Sequence, residues 1–154
     1  MAKKKLNKKN LIAFANNLYH DDGKNIEYMP LCHGTLAKAN GEILHCALGE
    51  LYEEFVGQVA RRAKAGDEDK ENFDHKYGVV FTIPGSKGDY EFGAIRLLAQ
   101  NASINKDSEE DLHDCLNDIP EVNDQYEGMS ETALIKRAKA VKEKLIEIAN
   151  ECLV

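Results

Sequence analysis

The segment from Asp107 to Glu131 contains ten carboxylates and neither lysine nor arginine, and it constrains the fold more than any other part of the sequence. So many like charges cannot be buried together, because their repulsion and lost hydration would cost too much free energy. The segment must therefore lie at the surface. It has an apolar side for docking, because three residues recur at helical spacing: Leu112, Leu116 and Ile119. We predict a short acidic helix that opens with Ser108 and Asp111 as a capping-box-like pair and ends at Pro120.

Charge is divided unevenly along the 154 residues, whose formal net charge is −7. Residues 1–10 contain five lysines and no acid, whereas residues 11–154 carry a net charge of −12. The length suits one domain, and no apolar run approaches the roughly 18–20 residues that a membrane span needs. We therefore predict a flexible basic tail over residues 1–10, a single helical domain over residues 11–154, and no membrane partner.

Apolar periodicity predicts a first helix near 7–20, a long second helix over about 35–64 and a third helix over about 89–101. Thr35 is expected to cap the second helix, and Ser130 the last one. The apolar residues of the last helix alternate spacings of four and three, which is typical of a helix packed against other helices. The sequence therefore predicts a mostly α protein.

The strand candidate is Tyr77–Ile83, which is rich in β-branched and aromatic residues. A single strand leaves its backbone groups unpaired, so we expect a partner strand from residues 24–34 or from another chain. The charged stretch Gly66–Lys76 is expected to be solvated. The predicted fold is a single-domain bundle of about five helices with one small β element near 77–83.

Four cysteines, Cys32, Cys46, Cys115 and Cys152, are far apart in the sequence and form no C-x-x-C pair. The first residues are basic, but the apolar run that follows them is too short for the core of a signal peptide. We therefore expect a cytoplasmic protein with reduced thiols. The last three cysteines lie within helical patterns, which favours a role as small buried hydrophobic residues.

The acidic segment is the main candidate for function, because a set of exposed carboxylates attracts basic partners at long range. We expect a partner-binding surface made of Asp107, Glu109, Glu110, Asp111, Asp114, Asp118, Glu121 and Asp124. The chain is then a small acidic cytosolic binding or regulatory protein, of inhibitor, immunity or counter-defence type. Its partner is a basic protein, and it needs no cofactor. The alternative interpretation is a helix and loop that only keep the protein in solution.

A second candidate site is the sequence LGELYEEF at residues 48–55. Glu50 and Glu53, or Glu50 and Glu54, lie one helical turn apart, a spacing at which two carboxylates can share a divalent cation. The passage resembles the first metal-binding helix of the MazG-like all-α NTP pyrophosphohydrolases, whose E-x-x-E pattern is followed later by E-x-x-D. The resemblance implies a Mg²⁺-dependent nucleoside triphosphate pyrophosphohydrolase, in which the second pair of ligands is Glu71 and Asp74. The alternative interpretation is a solvated helix face.

The sequence PGSKG after the strand candidate suggests a phosphate-binding turn, because glycines before a helix expose backbone N–H groups. Gly85, Lys87 and Gly88 would then bind a nucleotide in a relative of that family that does not cleave it. A plain turn is the alternative interpretation.

Two further expectations concern other partners. No aromatic or arginine residue accompanies the lysines of the tail, so direct nucleic-acid binding is not expected. The apolar seam of the last helix, residues 131–153, can pack in the core of its own chain or join two copies into a homo-oligomer.

Overall fold

Helices dominate the computed structural model, which describes residues 4–18, 36–39, 42–75, 78–83, 90–105, 109–125 and 130–154. The described elements are α1 (Lys8–Leu18), β1 (Leu36–Ala39), β2 (Glu42–His45), α2 (Ala47–Phe55), β3 (Ala60–Arg62), a 3₁₀ turn (Asp67–Asp69), β4 (Phe73–Asp74), β5 (Val79–Phe81), α3 (Tyr90–Gln100), α4 (Glu109–Asp124) and α5 (Glu131–Cys152). The predicted mostly α fold with a small β element is confirmed, and so are the predicted positions of α1 and α3.

The longest described helix, α5, lies at the centre of the packing, where α1 and α4 both contact it. Five residues of the predicted seam are buried, and the first, Leu134, is half-buried: the buried five are Ala138, Val141, Leu145, Ile148 and Cys152. Ser130 Oγ accepts a hydrogen bond from the Ala133 N–H at 3.2 Å, which confirms the predicted cap. Since helices of the same chain cover the seam, its buried residues are not exposed to a second copy.

The predicted long helix over 35–64 is wrong, because three strands and a short helix occupy most of that range. β1 and β2 pair as an antiparallel hairpin in which Ala39 is opposite Glu42. The two residues between them in sequence are Asn40-Gly41, the dipeptide most typical of tight hairpins. The apolar stripe predicted for the long helix is real only within α2, where Leu48, Leu51, Tyr52 and Phe55 are buried.

The strand predicted near 77–83 is confirmed as β5, and Val79, Val80, Phe81 and Ile83 are all buried. β5 lies between β3 and β4 and pairs antiparallel with both, with Ala60 opposite Phe81 and Phe73 opposite Val80. The expectation that the partner comes from residues 24–34 or from another chain is therefore wrong. Both partners are only two or three residues long, which is too short to show a strand period in the sequence.

The two ends of the described chain meet in one backbone network. Leu6 is fully buried and forms a parallel bridge with Ala102, while Ile104 bridges Leu153. The Lys8 N–H donates to the Val154 carbonyl at 3.2 Å. Residues 4–10 therefore belong to the folded domain, and only residues 1–3 of the predicted tail lie outside the described part of the chain.

Candidate partner-binding surface

One side of α4 holds this helix on the protein. Leu112, Leu116 and Ile119 are buried there against the core that α5 and α3 help to form. Burial of each of these side chains stabilises the fold by roughly 1.5–3 kcal/mol. The apolar side that the sequence predicted for the acidic segment is therefore the side of α4 that is buried.

Four carboxylates of α4 lie on the opposite side of the helix. At about 100° per residue, four acidic positions fall within roughly 80° of one another and about 150° away from the apolar side. We call this set the acidic face, and all of its members are exposed: Asp111, Asp114, Asp118 and Glu121. The helix thus gathers part of the predicted acidic surface into one stripe.

Basic residues do little to neutralise the acidic face. Lys144 of α5 lies 3.4 Å from Asp118 and 3.6 Å from Glu147, with only 16% of its side chain exposed. Burial lowers the pKa of Lys144, but the carboxylates of Glu147 and Asp118 outweigh that effect and raise it overall. Lys144 therefore stays charged at neutral pH and pairs with the middle of the stripe. Among the described residues, Asp111, Asp114 and Glu121 form no such ion pair.

The prediction that the acidic helix ends at Pro120 is wrong, because α4 continues to Asp124. Proline inside a helix removes one backbone hydrogen bond and costs about 3 kcal/mol, so the turn beyond it needs other support. Asn123 supplies that support. Its side chain is fully buried, and its Oδ1 accepts a hydrogen bond at 2.9 Å from the Ala47 N–H.

This contact also serves α2. Cys46 is the N-cap residue of α2, and its side chain makes no capping hydrogen bond. The first N–H groups of a helix have no acceptor within the helix. Asn123, although far away in the sequence, accepts a hydrogen bond from one of those N–H groups in α2. The two candidate sites of the sequence, on α4 and on α2, are in this way physically linked.

A cleft of about 660 Å³ lies where the acidic face ends. Its described lining consists of Glu121, Val122, Asp124 and Gln125, so two carboxylates share it with one apolar side chain. Asp124 Oδ1 accepts a hydrogen bond from Asn123 Nδ2 at 3.0 Å, which fixes the orientation of that carboxylate. The last turn of α4 contains no basic residue. A cationic group is the chemistry that suits this end of the helix.

Other predicted site residues lie wholly or partly beyond the described structure. Glu109 and Glu110 belong to the first turn of α4, and their side chains are not among those described. Five predicted residues fall outside the described part of the chain altogether: Asp107, Ser108, Gly85, Lys87 and Gly88. The structure therefore places the four residues of the acidic face and Asp124 on one helix. The phosphate-binding turn lies outside the described residues, so it stays a prediction from the sequence.

The glutamates predicted as metal ligands lie on α2 but point to different partners. Glu53 Oε1 accepts a hydrogen bond from the Val59 N–H at 2.8 Å and so holds the chain that leaves the helix. Glu54 Oε1 pairs with Lys4 Nζ at 2.7 Å. Glu50 is half-buried in the first turn of the helix.

The second predicted metal pair is not on a helix. Glu71 is exposed in a turn, and Asp74 belongs to the two-residue strand β4. Within the described ranges, no group of three or more His, Cys, Asp or Glu side chains is arranged to hold a metal ion. The Mg²⁺ site therefore stays a prediction from the sequence resemblance.

Sequence reasoning missed three buried polar residues: Asn123, Asp67 and Arg137. Asn123 lies four residues after Ile119 and therefore on the same, buried side of α4. A polar residue on the buried side of a helix indicates a buried hydrogen bond. Asp67 is buried inside a stretch that was expected to be solvated. It follows Gly66, whose φ of 93° lies in the left-handed region that favours glycine. The glycine was visible in the sequence, but the contacts of Asp67 were not.

Comparison with protein-family models, with curated proteins and with solved structures found no match to this chain. No described helix is both long enough and apolar enough to cross a membrane. Function is therefore inferred from the surface of α4 itself.

Proposed function

We propose that the protein is a small cytoplasmic binding or regulatory protein, of inhibitor, immunity or counter-defence type, that engages a basic protein through the acidic face. The observation that carries this proposal is the stripe of four exposed carboxylates on a helix whose opposite side is buried. A rigid row of like charges speeds encounter with a basic partner and selects against acidic ones. The carboxylates make no contribution to the core that would explain their placement.

The electrostatics of α4 support the same proposal. Repulsion along the stripe is relieved in the free protein only by the ion pair between Asp118 and Lys144, at least among the described residues. A partner that brings lysine or arginine side chains replaces counter-ions and removes this repulsion on binding. The attraction therefore acts at long range, and it weakens as salt screens the charges.

Charge reversal tests the proposal. In the test variant Asp111, Asp114 and Asp118 are all changed to lysine. The matched control variant changes three exposed acids elsewhere in the chain to lysine: Asp69, Glu71 and Glu143. Both variants have the same net charge, so only the position of the charge differs. Each tagged protein is used to capture partners, and a captured basic protein is then purified and titrated against all three forms.

We expect the wild type and the control variant to bind the purified partner with a Kd that rises steeply with salt. The α4 variant should lose that binding by at least a hundredfold, because three attractive charges become repulsive. Circular dichroism checks that both variants remain folded. Equal binding by the two variants would refute a role for the acidic face.

The same samples test the enzymatic alternative. Each protein is incubated with a panel of nucleoside triphosphates and Mg²⁺ or Mn²⁺, and released pyrophosphate is measured. Under our proposal the wild type releases none. Release that a Glu50→Gln variant abolishes would instead favour the MazG-like activity, and a nucleotide-induced rise in melting temperature without release would favour the binding-only relative.

A further inference from the structure

Pro120 divides α4 into two parts that are held in different ways. Before it, Leu112, Leu116 and Ile119 anchor the helix in the core. After it, residues 121–124 continue as helix, although proline donates no hydrogen bond to the Leu116 carbonyl and crowds the preceding turn. The last turn is therefore less firmly joined to the rest of α4 than a turn without proline would be.

A side chain of this last turn reaches the start of α2. Asn123 is fully buried, and its Oδ1 accepts the hydrogen bond from the Ala47 N–H at 2.9 Å. The N-cap residue Cys46 gives α2 no side-chain cap of its own. If the last turn of α4 leaves its place, the buried Ala47 N–H loses this acceptor, and an unpaired buried N–H is costly. The start of α2 must then open as well, so that this N–H reaches water.

We propose that the last turn of α4 and the start of α2 open and close together as one unit, with Pro120 as the hinge and the hydrogen bond between Asn123 and Ala47 as the latch. The hinge lowers the cost of opening, because a helix that ends at Ile119 no longer has to accommodate proline. The latch makes the opening cooperative, because neither end leaves its place while the bond is intact. Such a unit opens at a lower free energy than the whole domain unfolds.

The opening also changes the acidic face. Glu121, its last member, belongs to the unit, whereas Asp111, Asp114 and Asp118 lie before the hinge. The closed unit therefore presents four carboxylates in one row, and the open unit leaves three of them in place. The inference does not depend on the proposed function, because opening is measured in the isolated protein.

Amide hydrogen exchange followed by NMR tests the proposal in the full chain. Three amides report on it: Ala47 at the start of α2, Val122 in the last turn of α4, and Leu116 before the hinge. In the wild type we expect the protection factors of Ala47 and Val122 to agree within about threefold, since one opening event exposes both. Both should be at least about tenfold lower than the protection factor of Leu116.

Variants of the hinge and the latch change the opening in opposite directions. Pro120→Ala restores a backbone donor and favours the closed unit, so the protection of both Ala47 and Val122 should rise at least about tenfold. Asn123→Ala breaks the latch and should lower the protection of both amides about tenfold. Asn117→Ala, at an exposed position before the hinge, is the matched control and should change neither by more than about threefold.

Three results would overturn the proposal. The first is a difference of more than about threefold between the wild-type protection factors of Ala47 and Val122. The second is protection of these amides less than about tenfold below that of Leu116. The third is a change in Pro120→Ala that is confined to Val122. The wild-type comparison needs no substitution, so it decides the question even where a variant folds poorly.

Discussion

Two charged regions of the molecule, residues 60–74 and α4, are built in opposite ways. Residues 60–74 contain four basic and five acidic residues, and two of the basic side chains pair with the one buried carboxylate, that of Asp67. Arg61 contacts Asp67 with two nitrogens at 2.8 and 3.2 Å, and Lys70 Nζ lies 3.1 Å from the same side chain. The Lys64 N–H donates to it at 2.7 Å. In α4, by contrast, the carboxylates of the acidic face point to solvent.

The difference follows from how the signs of charge are ordered along the chain. Where acids and bases alternate over a few residues, a turn can bring them together, and buried ion pairs then fix the turn. An acid-only segment cannot neutralise itself. It must hold its helix by apolar packing and leave the charges outside, where they are available to a partner. Each prediction below tests one side of this contrast.

The largest effect is expected from Leu116→Ala, which removes apolar packing beneath the acidic face. Leu116 is fully buried, so the substitution leaves a cavity and should lower the free energy of unfolding by about 2–5 kcal/mol. Urea titration followed by circular dichroism measures the change. The neighbouring Asn117 is exposed, so an Asn117→Ala variant should stay within about 0.5 kcal/mol of the wild type. Similar losses in both variants would mean that apolar packing does not hold α4.

Asn123→Ala tests the hydrogen bond between the Ala47 N–H and Asn123, which ties the end of α4 to α2. The substitution leaves the buried Ala47 N–H without its acceptor, which should cost about 1–3 kcal/mol. Hydrogen exchange of the Ala47 amide should also become faster than in the wild type. Gln125→Ala, at an exposed position two residues further on, is the matched control and should leave both measurements unchanged. Unchanged exchange in Asn123→Ala would show that the contact does not support α2.

Asp67→Asn tests the ion pairs within residues 60–74 and should lower the melting temperature by several degrees at pH 7. The Arg61 guanidinium, the Lys64 N–H and Lys70 hold the pKa of Asp67 well below its usual range. The unfolded chain therefore binds this proton more tightly, so the stabilisation is complete above about pH 5 and is lost as the pH falls. The effect should be smaller than that of Asn123→Ala, because Arg61 and Lys70 keep access to water, with 31% and 55% of their side chains exposed.

Thermal unfolding between pH 7 and pH 2 checks this prediction. The difference between wild type and Asp67→Asn should be largest at neutral pH and should shrink as the solution becomes acidic. Asp69→Asn removes an exposed carboxylate two residues away and should track the wild type throughout. A difference that grew in acid would contradict the sign of the pKa shift.

The sequence predicted those parts of the fold that depend on long periodic patterns. α1, α3 and α5 extend over many residues, and α5 is the clearest example because its seam repeats along the whole helix. The hairpin β1–β2 was missed because alanine and leucine continue the helical stripe through residues 36–48, although Asn40-Gly41 marks a turn. β3 and β4 were missed because strands this short form only where β5 gives them a partner.

The candidate site shows the same limit. The sequence predicted the carboxylates of the acidic face and the side of α4 that is buried, since both follow from the helical repeat. It did not predict that Asn123 would reach Ala47, 76 residues earlier in the chain. That contact arises from how helices pack against one another, and no local pattern encodes it.

The smallest effect is expected from Asp114→Asn. The sign of its change in the free energy of unfolding tests the contrast between residues 60–74 and α4. Asp114 lies one turn from both Asp111 and Asp118, and like charges at these spacings destabilise a helix by about 0.2–0.5 kcal/mol per pair. Removing its charge relieves two such pairs and should therefore stabilise the protein by about 0.4–1 kcal/mol at low salt, and screening should remove the gain at about 1 M salt. Urea titrations at both salt concentrations measure this. Removal of one carboxylate would then destabilise residues 60–74 and stabilise α4. A loss of stability in Asp114→Asn would instead show that this carboxylate supports the fold, and the acidic face would no longer need a partner to explain it.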